Sequence, residues 1–563
     1  MTPQSPPPWR GIAIALWGAV AACFAFLFAP IVAGYFISDD FVPLVLLHEW
    51  QDGGALGSRL LGKFATSLDA GSNHFYRPLS YLTFGLNYLA GGVEPAGWMA
   101  VNVLLHAASG VLVAALGVKL LPGAERPRAI AAGAAGAAMF LFAAPGGEVV
   151  AWISGRFDAM ATFFTLAACV AFVSSRRALD AAWWIALASG EAALLSKESA
   201  AIMPFAILLL AFVTPATDAP ASLAARTRAA FVRAAPWIAL AVLYLLSRHL
   251  MFGTATQVYA GSDPLAPSHW GQALPKLPRW LRGEFGPAHR FYGIVALTAL
   301  QGVLMLALAS RAAARAALAV AAIVLLTLLL LMPHVAFLPI GLGGRLFYQT
   351  LAFYGVLVAI GLAQARLRYL MWGATLGLLI FHVAAMHATM ARWQGAYAEM
   401  RGLVTQLQAY DRALVPGEFA LVVVPGSYDG IPFARNAQGG LMLPPLFGPQ
   451  DAHRSLVQIE EELPELAGKI AGGVVRTLRE RTIADYLSGR AIVTDPPEYP
   501  TRVACWDPLG RKLAALEIAS QPTPDAYGNE VARAYAASPC STQADTRSRS
   551  SGARRSLRAG GAG

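Results

Sequence analysis

Charge is scarce in this sequence. Of its 563 residues, only 13% are Asp, Glu, Lys or Arg, about half the share usual in a soluble protein. Cysteine is scarcer still: four residues, too few for a disulfide scaffold. Cys23 and Cys169 fall in apolar runs, where a thiol behaves as a small hydrophobe. Cys505 and Cys540 fall in the polar C-terminal part, where they can pair if that part is extracytoplasmic. There is no GxxxxGK[ST] loop and no GxGxxG opening a strand–helix unit, and GLGGR at 341–345 follows an apolar run and matches neither. A soluble nucleotide or nucleotide-sugar site is therefore unsupported. No CxxC or HExxH occurs, and His48, His74, His106 and His334 are scattered, so a divalent metal has no motif to hold it. A lone histidine in an apolar run, such as His106, is more often a helix-packing hydrogen-bonder than a ligand.

What the chain has instead is long apolar stretches. Hydrophobic residues make up 56% of it, and the pattern predicts a polytopic α-helical membrane protein with about eleven spans. They lie near 11–37, 98–118, 129–144, 157–174, 181–196, 200–213, 234–252, 291–310, 316–332, 348–365 and 369–390. The first run is longer than the roughly 7–15 residues of a signal-peptide core and reads as a span. The net charge of +10 does not point to nucleic acid, because the cations gather in alternate short connections: Lys119, Arg126 and Arg128; Arg176 and Arg177; Arg226, Arg228 and Arg233; Arg311 and Arg315; Arg366 and Arg368. The positive-inside rule puts those connections in the cytoplasm. The intervening loops and everything after residue 390 then lie outside.

The outer face holds the unusual residues. The first run closes on FISDDFVP, with Asp39 and Asp40 at its outer boundary. A carboxylate there costs little, so a simple helix end would explain it; at a span centre one Asp costs about 2.5–3.5 kcal/mol. The segment 73–92, NHFYRPLSYLTFGLNYLAGG, is aromatic and interrupted and suits a helix lying along the interface. Other outer loops carry Glu148, Arg156 and Asp158 in GEVVAWISGRFD, Lys197 and Glu198 in SKES, and Arg345 in PIGLGGRLFYQ. Singly, each reads as an interfacial anchor or snorkelling cation. Together, Arg77, Arg156, Lys197 and Arg345 put cations beside carboxylates on the face that the positive-inside rule keeps poor in cations. A sugar carried on a polyprenyl phosphate would use such a surface. Arginine and lysine bind phosphate oxygens, the phosphate leaves without a general acid, and one carboxylate serves as base for an acceptor hydroxyl.

These stretches resemble the GT-C class of integral-membrane glycosyltransferases, most of all protein O-mannosyltransferase-like enzymes and the membrane half of the TPR-containing O-mannosyltransferases. The likeness rests on SDDF after the first span, YRPLSYLTFGLNYLAGGVEPAGWMAVNVLLHAASGVLV at 76–113, EVVAWISGRFDAMATFFTLAA at 148–168 and ALLSKESAAIMPF at 193–205, with a fainter match in GRLFYQ at 344–349. It covers the first 205 or so residues well and the rest thinly. The resemblance implies an inverting transferase that uses an undecaprenyl- or dolichyl-phosphate sugar; beyond that donor the residues call for no cofactor, and a divalent metal, though open, has no motif in support. Its catalytic carboxylate falls on Asp39 or Asp40, the motif alignment favouring Asp40. Donor phosphate or sugar contacts fall on Arg77, Arg156, Lys197 and Arg345, with His74, Tyr76, Glu148, Asp158 and Glu198 in support. There are two departures: TPR repeats are missing, and Gly344 stands where the family's late motif commonly has an acidic residue before the arginine.

The chain accordingly divides into a membrane domain, 1–390, a C-terminal extracytoplasmic domain, 391–540, and a disordered basic tail, 541–563. ALVVVPGSYDG at 420–430 reads as a strand and turn and RAIVTDPP at 490–497 as a second strand, whereas 451–487 has helical spacing; a small α/β domain follows for about 405–530. Asp429 and Arg435 at the turn read as solvated. Abundant Ala, Arg and Gly suggest a GC-rich bacterial source, hence an undecaprenyl carrier, the inner membrane and a periplasmic active face. Expected partners are the bilayer, the lipid-linked sugar and a protein, lipid or glycan acceptor. A transporter or flippase, or a non-catalytic scaffold of envelope assembly, is the rival class. The near absence of charge within the spans argues against a transporter.

Overall fold

The computed structural model describes residues 8–65, 75–121, 123–214, 222–256, 268, 270–276, 291–337, 343–364, 367–415, 418–434, 441, 444–447, 454–461, 476–477, 492–493, 502–519 and 523–542. The chain forms two compact units, Met1–Gly34 with Gly57–Gln394, and Tyr35–Leu56 with Gly395–Gly563. Tyr35–Leu56, read from sequence as part of the membrane domain 1–390, groups with the second unit.

The helices in chain order are α1 (Pro8–Phe28), α2 (Phe41–Asp52), α3 (Leu56–Gly62), α4 (Pro78–Gly91), α5 (Pro95–Lys119), α6 (Arg126–Leu141), α7 (Gly146–Ala151), α8 (Arg156–Ser174), α9 (Ala181–Leu194), α10 (Met203–Val213), α11 (Leu223–Phe252), α12 (Phe291–Ala307), α13 (Arg311–Phe337), α14 (Tyr348–Gln364), α15 (Arg368–Arg412) and α16 (Pro524–Ala537). Each of the eleven apolar segments holds one of them. Among the described residues seven helical stretches are long and apolar enough to cross a membrane, namely Trp9–Ala33, Pro95–Lys119, Ile153–Ser174, Leu223–Phe252, Ala313–Leu330, Gly344–Gln364 and Tyr369–Arg412. The protein is a polytopic α-helical membrane protein with a small C-terminal α/β part. Helices start and stop where local chemistry dictates. Proline opens α4 and α5, where its missing N–H costs nothing. The Asp180 carboxylate accepts the Trp183 N–H at 2.8 Å to cap α9. Gly253, left-handed at φ +73°, ends α11.

The first unit is organised around α14, buried from Tyr348 to Ala363 between α5, α6 and α13. Lipid offers no hydrophobic drive between spans, so close contact has to come from small residues. Helix α6 supplies them in AIAAGAAGAA. A Cβ added at Gly355 would sit 2.5 Å from the Gly136 carbonyl oxygen, and one at Gly117 would sit 2.7 Å from the Ala359 Cβ. His106 on α5 ties the same layer, its Nδ1 at 2.8 Å from the Tyr348 hydroxyl and its Nε2 at 3.0 Å from the Leu141 carbonyl. It is the packing hydrogen-bonder that the sequence suggests. On the outside, Ile14, Phe26, Leu104, Leu250 and Ile380 are exposed, as a lipid-facing surface requires.

In the second unit a four-stranded sheet runs in the order β4–β1–β7–β8. Its strands are β1 (Glu418–Pro425), β4 (Arg454–Glu461), β7 (Arg502–Asp507) and β8 (Lys512–Leu516). β1 is parallel to both neighbours, with Val422 opposite Gln458 and Ala504, and β8 returns antiparallel to β7. A strand flanked by parallel partners must be apolar on both faces; Ala420 to Val424 are all buried. Leu421, Val423, Val503 and Leu516 form a core with Tyr527, Val531 and Tyr535 of α16. A disulfide between Cys505 and Cys540 joins β7 to the turn after α16. The unit also holds two small ladders among the described residues: β2 (Ser427–Tyr428) with β3 (Ile431–Pro432), and β5 (Arg476–Thr477) with β6 (Ile492–Val493). The helical expectation for 451–487 is corrected at 454–461. There the Val457 and Ile459 pattern pairs with β1 along its full length, and strand pairing overrides the weak helical spacing. The rest of 451–487 apart from β5, together with the basic tail beyond Thr542 and Arg435, lies outside the described residues.

A leucine in place of Gly136 must push α6 away from α14. Gly136→Leu is expected to destabilise the first unit by about 1–3 kcal/mol, read as a lowered unfolding temperature in detergent, while Gly18→Leu, at a glycine with open space around its missing side chain, is expected to be neutral.

Candidate functional site

Three of the four sequence-predicted cations, Arg77, Lys197 and Arg345, form ion pairs within the first unit. Glu198, at the start of the turn between α9 and α10, receives Arg77, the residue preceding α4. Arg77 Nε donates to Glu198 Oε2 at 3.0 Å and Nη2 to the same oxygen at 2.8 Å. A second arginine, Arg248 of α11, brings Nη1 to 3.5 Å from Glu198 Oε1. The Tyr76 N–H adds a bond to Oε1 at 3.3 Å. The Arg77 guanidinium also lies over the rings of Phe75 and Phe157, 4.2 and 4.8 Å from their centres. Burial alone would push the Glu198 carboxyl up, but Arg77 and Arg248 more than offset it and hold it below the ordinary value of 4.5.

The next pair repeats this logic. Lys197 Nζ donates to both oxygens of Asp158, at 2.7 and 2.6 Å, with both residues buried. Asp158 lies in the first turn of α8, where the helix dipole favours a carboxylate. Arg345 Nη1 donates to Glu148 Oε1 at 2.6 Å, while the N–H groups of Gly343 and Arg345 donate to Oε2 at 3.3 and 3.2 Å. The Arg345 guanidinium covers the Trp152 ring at 4.6 Å. This geometry accounts for the glycine before Arg345: a Cβ at Gly344 would stand 2.8 Å from the Pro145 carbonyl oxygen and 3.0 Å from the Glu148 carboxylate. The carboxylate for Arg345 comes across the fold from α7, and the position beside the arginine has to stay bare.

Arg156 is different. It is wholly buried and donates to uncharged acceptors: Nε to Asn102 Oδ1 at 3.0 Å, Nη1 to Asn87 Oδ1 at 2.5 Å and Nη2 to the Trp98 carbonyl at 2.6 Å. Asn102 in turn donates to the carbonyl of Trp152 at 2.7 Å. The cluster fastens α4, α5 and α8 at one end. The Tyr76 hydroxyl donates to the Phe64 carbonyl at 2.9 Å. His74 lies outside the described residues.

The acidic pair belongs to the second unit. Ser38–Asp40 form one 3-10 turn leading into α2, and the two carboxylates have different surroundings. Asp40 is fully buried, and its Oδ2 accepts the Ile37 N–H at 3.2 Å, closing the turn on itself. Asp39 is partly exposed, and its Oδ1 accepts the Ser38 hydroxyl at 3.0 Å. Sequence reasoning missed Arg248, Asn87 and Asn102. The signal for Arg248 was available, since it is the cation inside an otherwise apolar run, LYLLSRHLMF.

No family model matches the chain. Over about a third of its length this chain is similar to protein O-mannosyl-transferases. It is 34% identical to Protein O-mannosyl-transferase Tmtc1 of Drosophila melanogaster over 195 residues, 33% of this chain and 21% of that protein. It is 33% identical to Protein O-mannosyl-transferase TMTC4 of Homo sapiens over 212 residues, 34% of this chain and 28% of that protein. The chain therefore aligns with only about a fifth to a quarter of the length of these relatives. Among solved structures it is similar to that of ArnT from Cupriavidus metallidurans bound to undecaprenyl phosphate, at 11% identity and a TM-score of 0.43, covering 73% of this chain and 82% of that one.

Removing the charge of Glu198 leaves two buried arginines without their carboxylate. Glu198→Gln is expected to cost about 3–5 kcal/mol of stability. Because the Glu198 pKa is depressed on folding, its contribution is full above pH 4.5 and is lost as pH falls through the lower folded value. Unfolding temperature measured between pH 7 and pH 3 is expected to drop below pH 4.5 in the wild type, with a shallower drop in the variant.

Proposed function

We propose that this protein is a membrane glycosyltransferase that moves a sugar from a polyprenyl-phosphate donor to a hydroxyl acceptor with inversion at the anomeric carbon. The observation that carries this is the similarity, over about a third of the chain, to protein O-mannosyl-transferases. The chemistry of the residues supports it. A donor dissolved in the bilayer needs no soluble nucleotide site, and the sequence has no motif for one.

Asp39 is the base. Of the acidic pair it is the partly exposed member, while Asp40 is buried and spends one oxygen on the Ile37 N–H. The acceptor hydroxyl gives its proton to the Asp39 carboxylate as its oxygen bonds to the anomeric carbon. The bond from that carbon to the phosphate oxygen breaks, and the phosphate leaves with the electron pair. Arg77, Lys197 and Arg345 are the residues suited to the donor phosphate, since each is an ionised donor kept in place by a carboxylate and a charge-assisted bond to a phosphate oxygen is strong. Arg156, bonded to Asn87, Asn102 and the Trp98 carbonyl, is a positioning residue. Cation-bearing connections on one side of the spans and a disulfide in the second unit support an orientation with that unit in an oxidising, extracytoplasmic compartment. The bacterial inner membrane and periplasm are the compartments that fit the composition.

The test uses the full chain in nanodiscs with polyprenyl-phosphate mannose and other lipid-linked sugars plus envelope extract, following release of free polyprenyl phosphate. Release is expected from the wild type, falling by about 10²–10⁴-fold in Asp39→Asn. Undiminished release from Asp39→Asn removes the assigned base, and no release from folded wild type with any donor removes the transferase reading.

A further inference from the structure

The acidic turn is held by residues some 360–395 positions away in the sequence. The Ser38 N–H donates to the Phe433 carbonyl at 2.7 Å. Ser38 is buried and takes φ +54°, a left-handed conformation that a residue with a side chain rarely adopts. The Phe433 carbonyl is presented by the β2–β3 hairpin, whose two-residue turn places Asp429 at φ +47° and Gly430 at φ +74°, the type that matches strand twist. The hairpin is locked by the Phe433 N–H bonding the Gly426 carbonyl at 3.0 Å and by Phe433 lying beside the Tyr428 ring, 6.1 Å between centres. From α15, the Arg401 guanidinium stacks over Tyr35 at 5.3 Å. The start of the turn is thus held by the C-terminal segment.

We propose that the β2–β3 hairpin of the C-terminal part is a positioning element for the acidic turn: by fixing Ser38 in its left-handed conformation, it directs Asp39 outward while Asp40 closes the turn inward. The inference rests on Asp39 being the base. It gives the C-terminal part a role in the rate of transfer, with Ser38 and Gly430 as positioning residues and no contact of their own with the sugar. A backbone conformation of this kind is kept only where its surroundings impose it, and here the hairpin supplies them.

The test uses the full chain in nanodiscs and the conformational demand at each end of the contact. Ser38→Val and Gly430→Val resist a positive φ; Ser38→Asn and Gly430→Asn accept it. Both valine variants are expected to lower kcat by about tenfold or more, with donor KM within about threefold of wild type. Both asparagine variants are expected to restore kcat to within about threefold, and formation of the Cys505–Cys540 disulfide reports that the second unit is folded. Hydrogen exchange gives a readout independent of activity: the Ser38 amide is expected to be protected in the wild type and to exchange at least about tenfold faster in Gly430→Val. Unchanged kcat and unchanged Ser38 exchange in Gly430→Val overturn the proposal. So does a loss that asparagine fails to rescue. Asp39→Asn, run alongside, separates the two claims: if it keeps full transfer, the base assignment fails whatever the hairpin variants do.

Discussion

A buried charge needs a partner. Taking a carboxylate or a guanidinium out of water costs several kcal/mol, which only close geometry and further hydrogen bonds offset. Most of the first unit's unusual features follow from that constraint. Glu198 takes Arg77 and Arg248, Asp158 takes Lys197, and Glu148 takes Arg345. These pairs join segments remote in sequence, so the helix ends of the unit are tied by charge as well as by the packing and hydrogen bonds within the spans. The same constraint explains Gly344, which stays bare because Glu148 comes from α7 to reach Arg345.

Hydropathy made the helices legible. Each of the eleven apolar segments is helical, because twenty or so apolar residues with satisfied backbone bonds leave little other choice in lipid. Local turn chemistry was equally readable: the Ser-Tyr-Asp-Gly stretch after a Val-rich strand became the β2–β3 hairpin. What could not be read was anything set by remote partners. Arg77 and Arg345 look in sequence like cations in outer loops, and only the fold shows each against its carboxylate. Residues 454–461 looked helical but extend along β1. Tyr35–Leu56 looked like the loop after a span but belongs with residues 395–563, through contacts that no local pattern encodes.

The acidic pair shows how neighbouring identical residues come to sit in different surroundings. Asp39 and Asp40 are indistinguishable by type, and alignment of the motif favoured Asp40. The turn separates them by burial and by which backbone or hydroxyl group each accepts. On this account Asp40 keeps the turn closed and Asp39 does the proton transfer, so chemistry is assigned by conformation, with the left-handed Ser38 between them and the hairpin.

The central claim is that a single carboxylate base acts on a lipid-phosphate sugar with no covalent sugar–enzyme intermediate. Product stereochemistry tests it most directly. With a polyprenyl-phosphate sugar of defined anomeric configuration, the glycoside released from the acceptor and examined by NMR is expected to have the opposite configuration, as one in-line displacement requires. Retention of the donor's configuration would require a double displacement through an enzyme nucleophile and would contradict the account.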